Sequence, residues 1–366
     1  MSEIKRIAVM TGGGDCPGLN PVIRAVTKTA IMKYGLEVVG IKHGYRGLYL
    51  GGDEFVNLTL DKVEEILSKG GTILYSSNKD NLFDYTYEDE NGNTCHGDVS
   101  DVGVENLRKA GIDALVVIGG DGTLTSGRDF SRKGVKVIGV PKTIDNDLAA
   151  TDTTFGFDTA VSTAVEAIDR LKTTAESHSR IITVEAMGRY AGFLALSAGI
   201  GGAADAILIP EIEYDINKVA ETIKANYARG KNYAIVVVAE GAKPKNGEVV
   251  VSKVVENSPD PIRLGGIANV VAEQLEKLVG LEARATILGH VQRGGSPTAN
   301  DRILSTRYGS YAVELLMQGK FGNMVTLKGN QMSYESLENV IGANKAVDPS
   351  GELVTIAEAT GVSFGR

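Results

Sequence analysis

Residues 119–123 read GGDGT and follow the apolar run ALVVI at 114–118. A short run rich in β-branched residues and bounded by glycine reads as a buried parallel strand ending in a tight turn. The glycines let the backbone bend and approach a ligand closely. Asp121 sets a hard carboxylate at the strand end, the ligand type that Mg²⁺ takes together with phosphate oxygens. Thr123 opens a helical segment, and the free N–H groups of a helix start favour an anion. The local chemistry suits a nucleotide or polyphosphate with its metal. The plainer reading of the same five residues is a strand-to-helix turn with a capping aspartate.

Polar groups gather at other strand ends in the same way. GGGD, SSNKD, GGDGT, TIDND, EAMGR, AEG and GHVQR all follow apolar runs. In parallel sheets, ligands sit outside the carboxyl ends of the strands. So many polar ends point to shared crevices rather than to chance solvation.

The elements that must position these groups alternate between strand and helix. Residues 4–11 form a strand that runs into the glycine turn GGGDCPG, 12–18. A helix follows, with Leu19, Ile23, Val26 and Ala30 on one face and Gly35 as its stop. The turn is neither a dinucleotide fingerprint nor a Walker loop. It offers glycine backbone to a phosphate with no lysine built in, or serves packing alone. A second strand covers 36–44, and a helix near 61–69 opens with Asp61 as N-cap. Residues 85–96 are polar and aperiodic, an exposed excursion. Residues 102–111 read as a helix and 135–140 as a strand ending at PKTIDNDL. A long amphipathic helix covers 155–178, with Ala160, Ala164, Ala167, Ile168 and Leu171 on or near one side. Strand-and-turn units recur near 180–192, 205–211, 233–241 and 283–295. Repeated βα units predict parallel sheets.

A chain of 366 residues suggests about two domains, since single cores stop growing at roughly 250–300 residues. The net charge of −8 and the lack of a basic run argue against nucleic acid as the main partner. Cys16 and Cys95 have no metal-ligand spacing and are too few for a disulfide scaffold. A reducing cytoplasm is the simple inference. No apolar run approaches the roughly 20 residues of a membrane span.

Taken together, the motifs resemble those of the 6-phosphofructokinase family. TGGGDCPGLN, GGDGT, PKTIDND, EAMGRYAG, AEG and GHVQRGGSP occur in the family's order between about residues 7 and 315. GGDGT alone is shared with NAD kinases and lipid kinases; TIDND together with GHVQRGG is specific. The resemblance implies an α/β fold of two doubly wound, Rossmann-like parallel-sheet domains facing across an active-site cleft. It places a donor domain at 1–156 with a returning segment at roughly 292–342, and a fructose 6-phosphate domain at 157–291. The tail 343–366 matches no motif.

The resemblance also implies roles. Asp145 matches the catalytic base, and Asp121 the carboxylate associated with Mg²⁺. Thr143 would help hold the transferring phosphoryl group, and Asp147 would add a second acidic contact near the metal. Gly13, Gly120 and Gly122 would line the donor phosphates of ATP, with Thr123 and Ser126 along the nucleotide. Arg189, with Met187 and Gly188, would contact the sugar and stabilise developing charge. Glu240 would accept hydrogen bonds from sugar hydroxyls. His290 and Arg293 would grip the 6-phosphate. Arg180 and Arg284 match arginines that the family sends into a neighbouring subunit's site, which implies a homodimer or homotetramer.

The donor turns on two positions. ATP-using members have Gly after GGD, and many pyrophosphate-using members have Asp, whose carboxylate crowds the α-phosphate of ATP. Here Gly122 leaves room. The residue before TIDND is Lys142, as in pyrophosphate enzymes. Asn78 stands where many ATP-dependent relatives carry Arg, with Lys79 beside it. Steric exclusion is harder to evade than an added cation, so ATP is the expected donor, with pyrophosphate the alternative. Another GGDGT-type kinase and a non-catalytic regulatory subunit rank below both, because the base, the metal carboxylate and the arginine set are intact. Bacterial relatives bind ADP or phosphoenolpyruvate through basic residues on the first helix and a Lys-rich turn. Arg24 and Lys28 remain, but the turn reads RGKNY, with Lys231 and Asn232. The thinner charge predicts weak or absent regulation.

Overall fold

The computed structural model describes residues 4–88, 92–254 and 262–366. Its contacts divide the chain into two units. One comprises Met1–Thr143, Leu148–Gly156 and Arg293–Asn344; the other comprises Ile144–Asp147, Phe157–Gln292 and Lys345–Arg366. The partition differs from the expected 1–156 block at one loop, since Ile144–Asp147 groups with the second unit. The reason is local: the Asp147 carbonyl and the Asn146 side chain are bonded to Lys345.

The first unit is built on a seven-stranded sheet. From edge to edge it runs Gln331–Ser336, Asn323–Lys328, Val137–Pro141, Ala114–Gly119, Arg6–Thr11, Glu37–Ile41 and Phe55–Leu58. The five inner strands are parallel, and both edge strands are antiparallel. All six residues of Ala114–Gly119 are buried, which is why this strand reads as a continuous apolar run rather than an alternating one. Met10, Leu115, Val117, Leu124 and Phe130 belong to one core on this sheet. Helix Leu19–Tyr34 stops at Gly35, whose φ of 65° closes its last turn.

The second unit carries a four-stranded, wholly parallel sheet ordered Ala283–Ile287, Ile181–Ala186, Ala234–Ala239, Ala206–Leu208. Residues after helix Glu352–Ala359 extend its edge: Ser363 bridges Ala206 in the parallel sense, and the Ile207 N–H donates to the Ser363 carbonyl at 2.9 Å. Helix Phe157–His178 buries Ala160, Ala164 and Ile168 as its periodicity predicts.

Three local expectations change. The helix near residue 61 is only Leu60–Glu64, and Thr59 caps it by accepting from the Lys62 N–H, because Thr59 has the extended backbone a cap needs and Asp61 is already in the helix. The polar excursion is a hairpin, Tyr85–Glu88 against Thr94–Gly97; residues 89–91 lie outside the described residues. The parallel first sheet gains antiparallel edges from two short connections. Among the described residues, no helix is long and apolar enough to cross a membrane.

Candidate active site

In the first unit the glycine turn and GGDGT leave neighbouring parallel strands at the same end, where Thr11 pairs with Ile118. The Gly12 N–H continues the ladder to the Ile118 carbonyl at 2.9 Å. Thr123 locks the two turns together. A Cβ at Gly119 would lie 2.3 Å from the Thr123 Cβ, and one at Gly12 would lie 2.6 Å from its Cγ2. The glycines therefore make room for a buried threonine as well as for backbone approach. Asp121 is the first residue of helix Asp121–Arg132, half-buried, and its Oδ1 accepts the Gly342 N–H at 3.0 Å. A Cβ at Gly122 would meet nothing within 4 Å, whereas one at Gly120 would lie 3.4 Å from the Lys142 carbonyl. The buried Ser126 hydroxyl donates to Asn81 Oδ1 at 3.3 Å.

Two cations back the glycine turn. Lys142 is 4% exposed and its ammonium donates to the Gly14 carbonyl. The Arg293 guanidinium lies against Gly14 and donates from Nη1 to the Asp15 carbonyl at 3.3 Å. Cys16 beneath them is fully buried, and burial pushes its thiol up to about 12, with Lys142 pulling the other way. It stays a neutral thiol, a packing residue rather than a nucleophile. The Thr143 carbonyl accepts the Thr154 hydroxyl at 2.8 Å.

In the second unit, Asp145 is 7% exposed and is followed by Asn146 in the left-handed region, φ 53°. Strands Ile181–Ala186 and Ala234–Ala239 end in register, and the Glu240 N–H donates to the Ala186 carbonyl at 2.9 Å. Glu240 Oε1 accepts the Arg189 N–H at 2.9 Å. Burial holds the Glu240 carboxyl above its ordinary value; the Arg189 N–H opposes this, and the Asp145 carboxylate adds to it. The 187–189 turn is unusual backbone, with φ of 137° at Gly188 and 50° at Arg189. A second brace comes from Gln292, fully buried, whose Oε1 accepts the Met187 N–H at 3.3 Å and whose Nε2 donates to the Gly289 carbonyl at 3.0 Å. His290, in the same 3₁₀ turn, is exposed. Glu185 of EAMGR faces away: it accepts the Gly266 and Ala268 N–H groups and caps helix Ile267–Val279.

Arg180 and Arg284 are elsewhere. They stand at the amino ends of strands Ile181–Ala186 and Ala283–Ile287, whereas Arg189 and Glu240 lie past the carboxyl ends. Six residues of strand separate the two ends, about 20 Å at 3.3 Å per residue. Both arginines hold Glu282, with Arg180 Nε donating to Oε2 at 2.6 Å and Arg284 Nη2 donating to Oε1. That same strand end borders a cavity of about 440 Å³ lined by Asp205, Asn226, Arg229, Lys231 and 360–362. In it, Lys231 Nζ sits 2.6 Å from the buried Asp205 carboxylate.

Gln292 is a support that residue type alone does not single out, although it lies inside the quoted motif GHVQRGGSP. Among the described residues, no cluster of three or more His, Cys, Asp or Glu could hold a metal alone. A Mg²⁺ that takes one carboxylate plus ligand phosphates needs no such cluster, and the half-buried Asp121 at a strand end fits that mode.

The family model described as Phosphofructokinase matches residues 6–316. An ATP-dependent 6-phosphofructokinase 2 from Clostridium perfringens is 68% identical over 365 residues, covering 100% of this chain and 99% of the relative. A pyrophosphate–fructose 6-phosphate 1-phosphotransferase from Amycolatopsis methanolica is 47% identical, covering 94% of this chain and 96% of the relative. Among solved structures, phosphofructokinase from Saccharomyces cerevisiae superposes with a TM-score of 0.79 at 32% identity, over 92% of this chain and 45% of that longer chain. A family model matched over most of the chain and relatives this similar from end to end have one source: the chain belongs to the phosphofructokinase family.

Proposed function

We propose that this protein is an ATP-dependent 6-phosphofructokinase, transferring the terminal phosphoryl group of ATP to the 1-hydroxyl of fructose 6-phosphate. The observation that carries the donor is the 68% identity, end to end, with an ATP-dependent relative, against 47% for the pyrophosphate enzyme. The open space at Gly122 supports it, since a donor larger than pyrophosphate needs that room.

In this reading Asp145 accepts the proton of the 1-hydroxyl as its oxygen bonds to phosphorus, and the bond from phosphorus to the bridging oxygen of the donor breaks. Arg189 and Thr143 stabilise the charge on the transferring group. Glu240 accepts a sugar hydroxyl, and His290 and Arg293 hold the 6-phosphate. Gly13, Gly120, Gly122, Thr123 and Ser126 line the donor, and Asp121 would hold Mg²⁺, which when bound supplies charge neutralisation at the phosphates. Lys142 supports the glycine turn from behind, which gives its charge a use compatible with ATP. Arg180 and Arg284 serve the site of a second copy in a homodimer or homotetramer. The position of these two at the amino strand ends, away from Arg189, supports that division. The enzyme works in the cytoplasm.

The test is a side-by-side assay of ATP and pyrophosphate with fructose 6-phosphate. A kcat/KM at least about tenfold higher for ATP is expected. The reverse ratio makes the protein a pyrophosphate-dependent phosphotransferase, the reading that Lys142 would favour.

A further inference from the structure

The segment after Asn344 matches no motif, yet in the second unit it is bonded to both loops on which the proposed chemistry depends. The Lys345 N–H donates to the Asp147 carbonyl at 2.8 Å, and its ammonium donates to Asn146 Oδ1 at 3.2 Å. The same ammonium lies 5.5 Å from the centroid of the Phe193 ring, within cation–π range. Phe193 is the first residue of helix Phe193–Gly201, directly after EAMGRYAG. Two residues on, the Val347 N–H donates to Glu211 Oε1 at 2.9 Å, and that oxygen also accepts the N–H of Gly192 at 2.9 Å. The other Glu211 oxygen is buried without a hydrogen-bond partner. A carboxylate is thus held in a poorly solvated place for the sake of two backbone bonds, one to each segment. Such a group is normally costly to bury, so its position points to a task.

Asn146 is the residue whose need is plainest. It follows Asp145 directly and adopts φ 53°, the left-handed region that asparagine tolerates better than most side-chain-bearing residues, though at some cost. Its side chain and the next carbonyl are both fixed from Lys345. The direction of the Asp145 carboxylate depends on that backbone.

We propose that residues 345–347 are a splint for the active site, with Lys345 and Glu211 as positioning residues: Lys345 fixes the loop that carries Asp145, and Glu211 ties the splint to the segment that carries Arg189. This rests on the assignment of Asp145 as base.

The experiment compares wild type with Lys345→Ala, Lys345→Arg, Glu211→Ala and Glu211→Gln. It measures steady-state kinetics, Tm, and amide hydrogen exchange by mass spectrometry on peptides spanning 143–148 and 186–193. Lys345→Ala should lower kcat by about tenfold or more, because small misplacements of a reacting group cost that much, while the KM for fructose 6-phosphate stays within about threefold. Lys345→Arg should restore most of the loss. Glu211→Gln, which keeps the accepting oxygen, should outperform Glu211→Ala. Exchange should rise in 143–148 for Lys345→Ala, and in 186–193 for Glu211→Ala, with the rest of the chain unchanged. A kcat within about twofold of wild type, or faster exchange spread evenly over the second unit with a lowered Tm, overturns the proposal. If wild type does not phosphorylate fructose 6-phosphate at all, the assigned activity has failed; the exchange pattern then decides the splint by itself, local gain supporting it and no gain overturning it.

Discussion

The carbonyl oxygen of Arg189 lies where a side chain at Gly241 would begin: a Cβ built there would be 1.9 Å from it. The partner is backbone, so no side chain can swing away. With Glu240 accepting the Arg189 N–H, the AEG strand end meets the backbone of Arg189 at both its N–H and its carbonyl. The left-handed Arg189 is held by this grip. Gly241→Ala should therefore push the 187–189 turn out of place. We expect kcat/KM to fall by about a hundredfold and stability by about 1–3 kcal/mol, checked by steady-state kinetics and thermal unfolding. Wild-type kinetics would show that the turn does not depend on this contact.

Asp145→Ala should remove most turnover, by about 10²–10⁴-fold for loss of a general base, while binding of fructose 6-phosphate stays nearly unchanged. Isothermal titration beside rate measurements checks both halves. An unchanged kcat would remove the base from this position.

Gly122→Asp tests donor choice with little structural risk. A Cβ at this position meets nothing within 4 Å, so stability should change by no more than about 0.5 kcal/mol. With the donor bound as proposed, the added carboxylate would repel its phosphates, so kcat/KM for ATP should drop by about tenfold or more, with pyrophosphate affected less. Equal losses with both donors would mean that residue 122 does not discriminate.

Glu240 gives a pH signature. Its folded carboxyl is held above the ordinary 4.5, chiefly by burial. The folded state therefore binds more protons than the unfolded chain in that window, and stability falls as pH rises through the raised value. A glutamine at this position stays neutral throughout. The Tm of Glu240→Gln relative to wild type should rise as pH increases above 4.5 and level off once the folded carboxyl has ionised. A Tm difference independent of pH would contradict this.

Regulation by phosphorylated effectors should be weak. The basic groups that could receive an anion are already paired: Arg24 and Lys28 with Glu64, at 3.6 and 2.7 Å, and Lys231 with Asp205 at 2.6 Å. An arriving anion must compete with those carboxylates. Phosphoenolpyruvate or ADP at millimolar levels should change the rate by less than about twofold. Sigmoidal kinetics with strong inhibition would count against it.

The parts of the fold that the sequence makes legible are those dictated by burial. Residues 114–118 are apolar because both faces of that strand are covered, and 160–168 show the period of a helix packed on one side. The strand-end motifs were legible because glycine and acidic residues interrupt apolar runs. What stayed hidden depends on distant partners. Lys345 lies 199 residues from Asn146, and Glu211 lies 136 from Val347; neither has a local pattern. Strand Gln331–Ser336 carries no clear sequence signal because it is a half-exposed edge with mixed polarity. The shared grip of Arg180 and Arg284 on Glu282 could not be read from residue types alone.

The bridge from Ser363 to Ala206, and the strand Asn323–Lys328 lying beside Val137–Pro141, bear on how the chain is made. During synthesis each sheet waits, with one edge bare, for residues beyond 322 to emerge from the ribosome. A stop codon just before residue 323 would therefore yield a product with an uncovered edge on each sheet, a substrate for proteases and a seed for aggregation rather than a shorter enzyme.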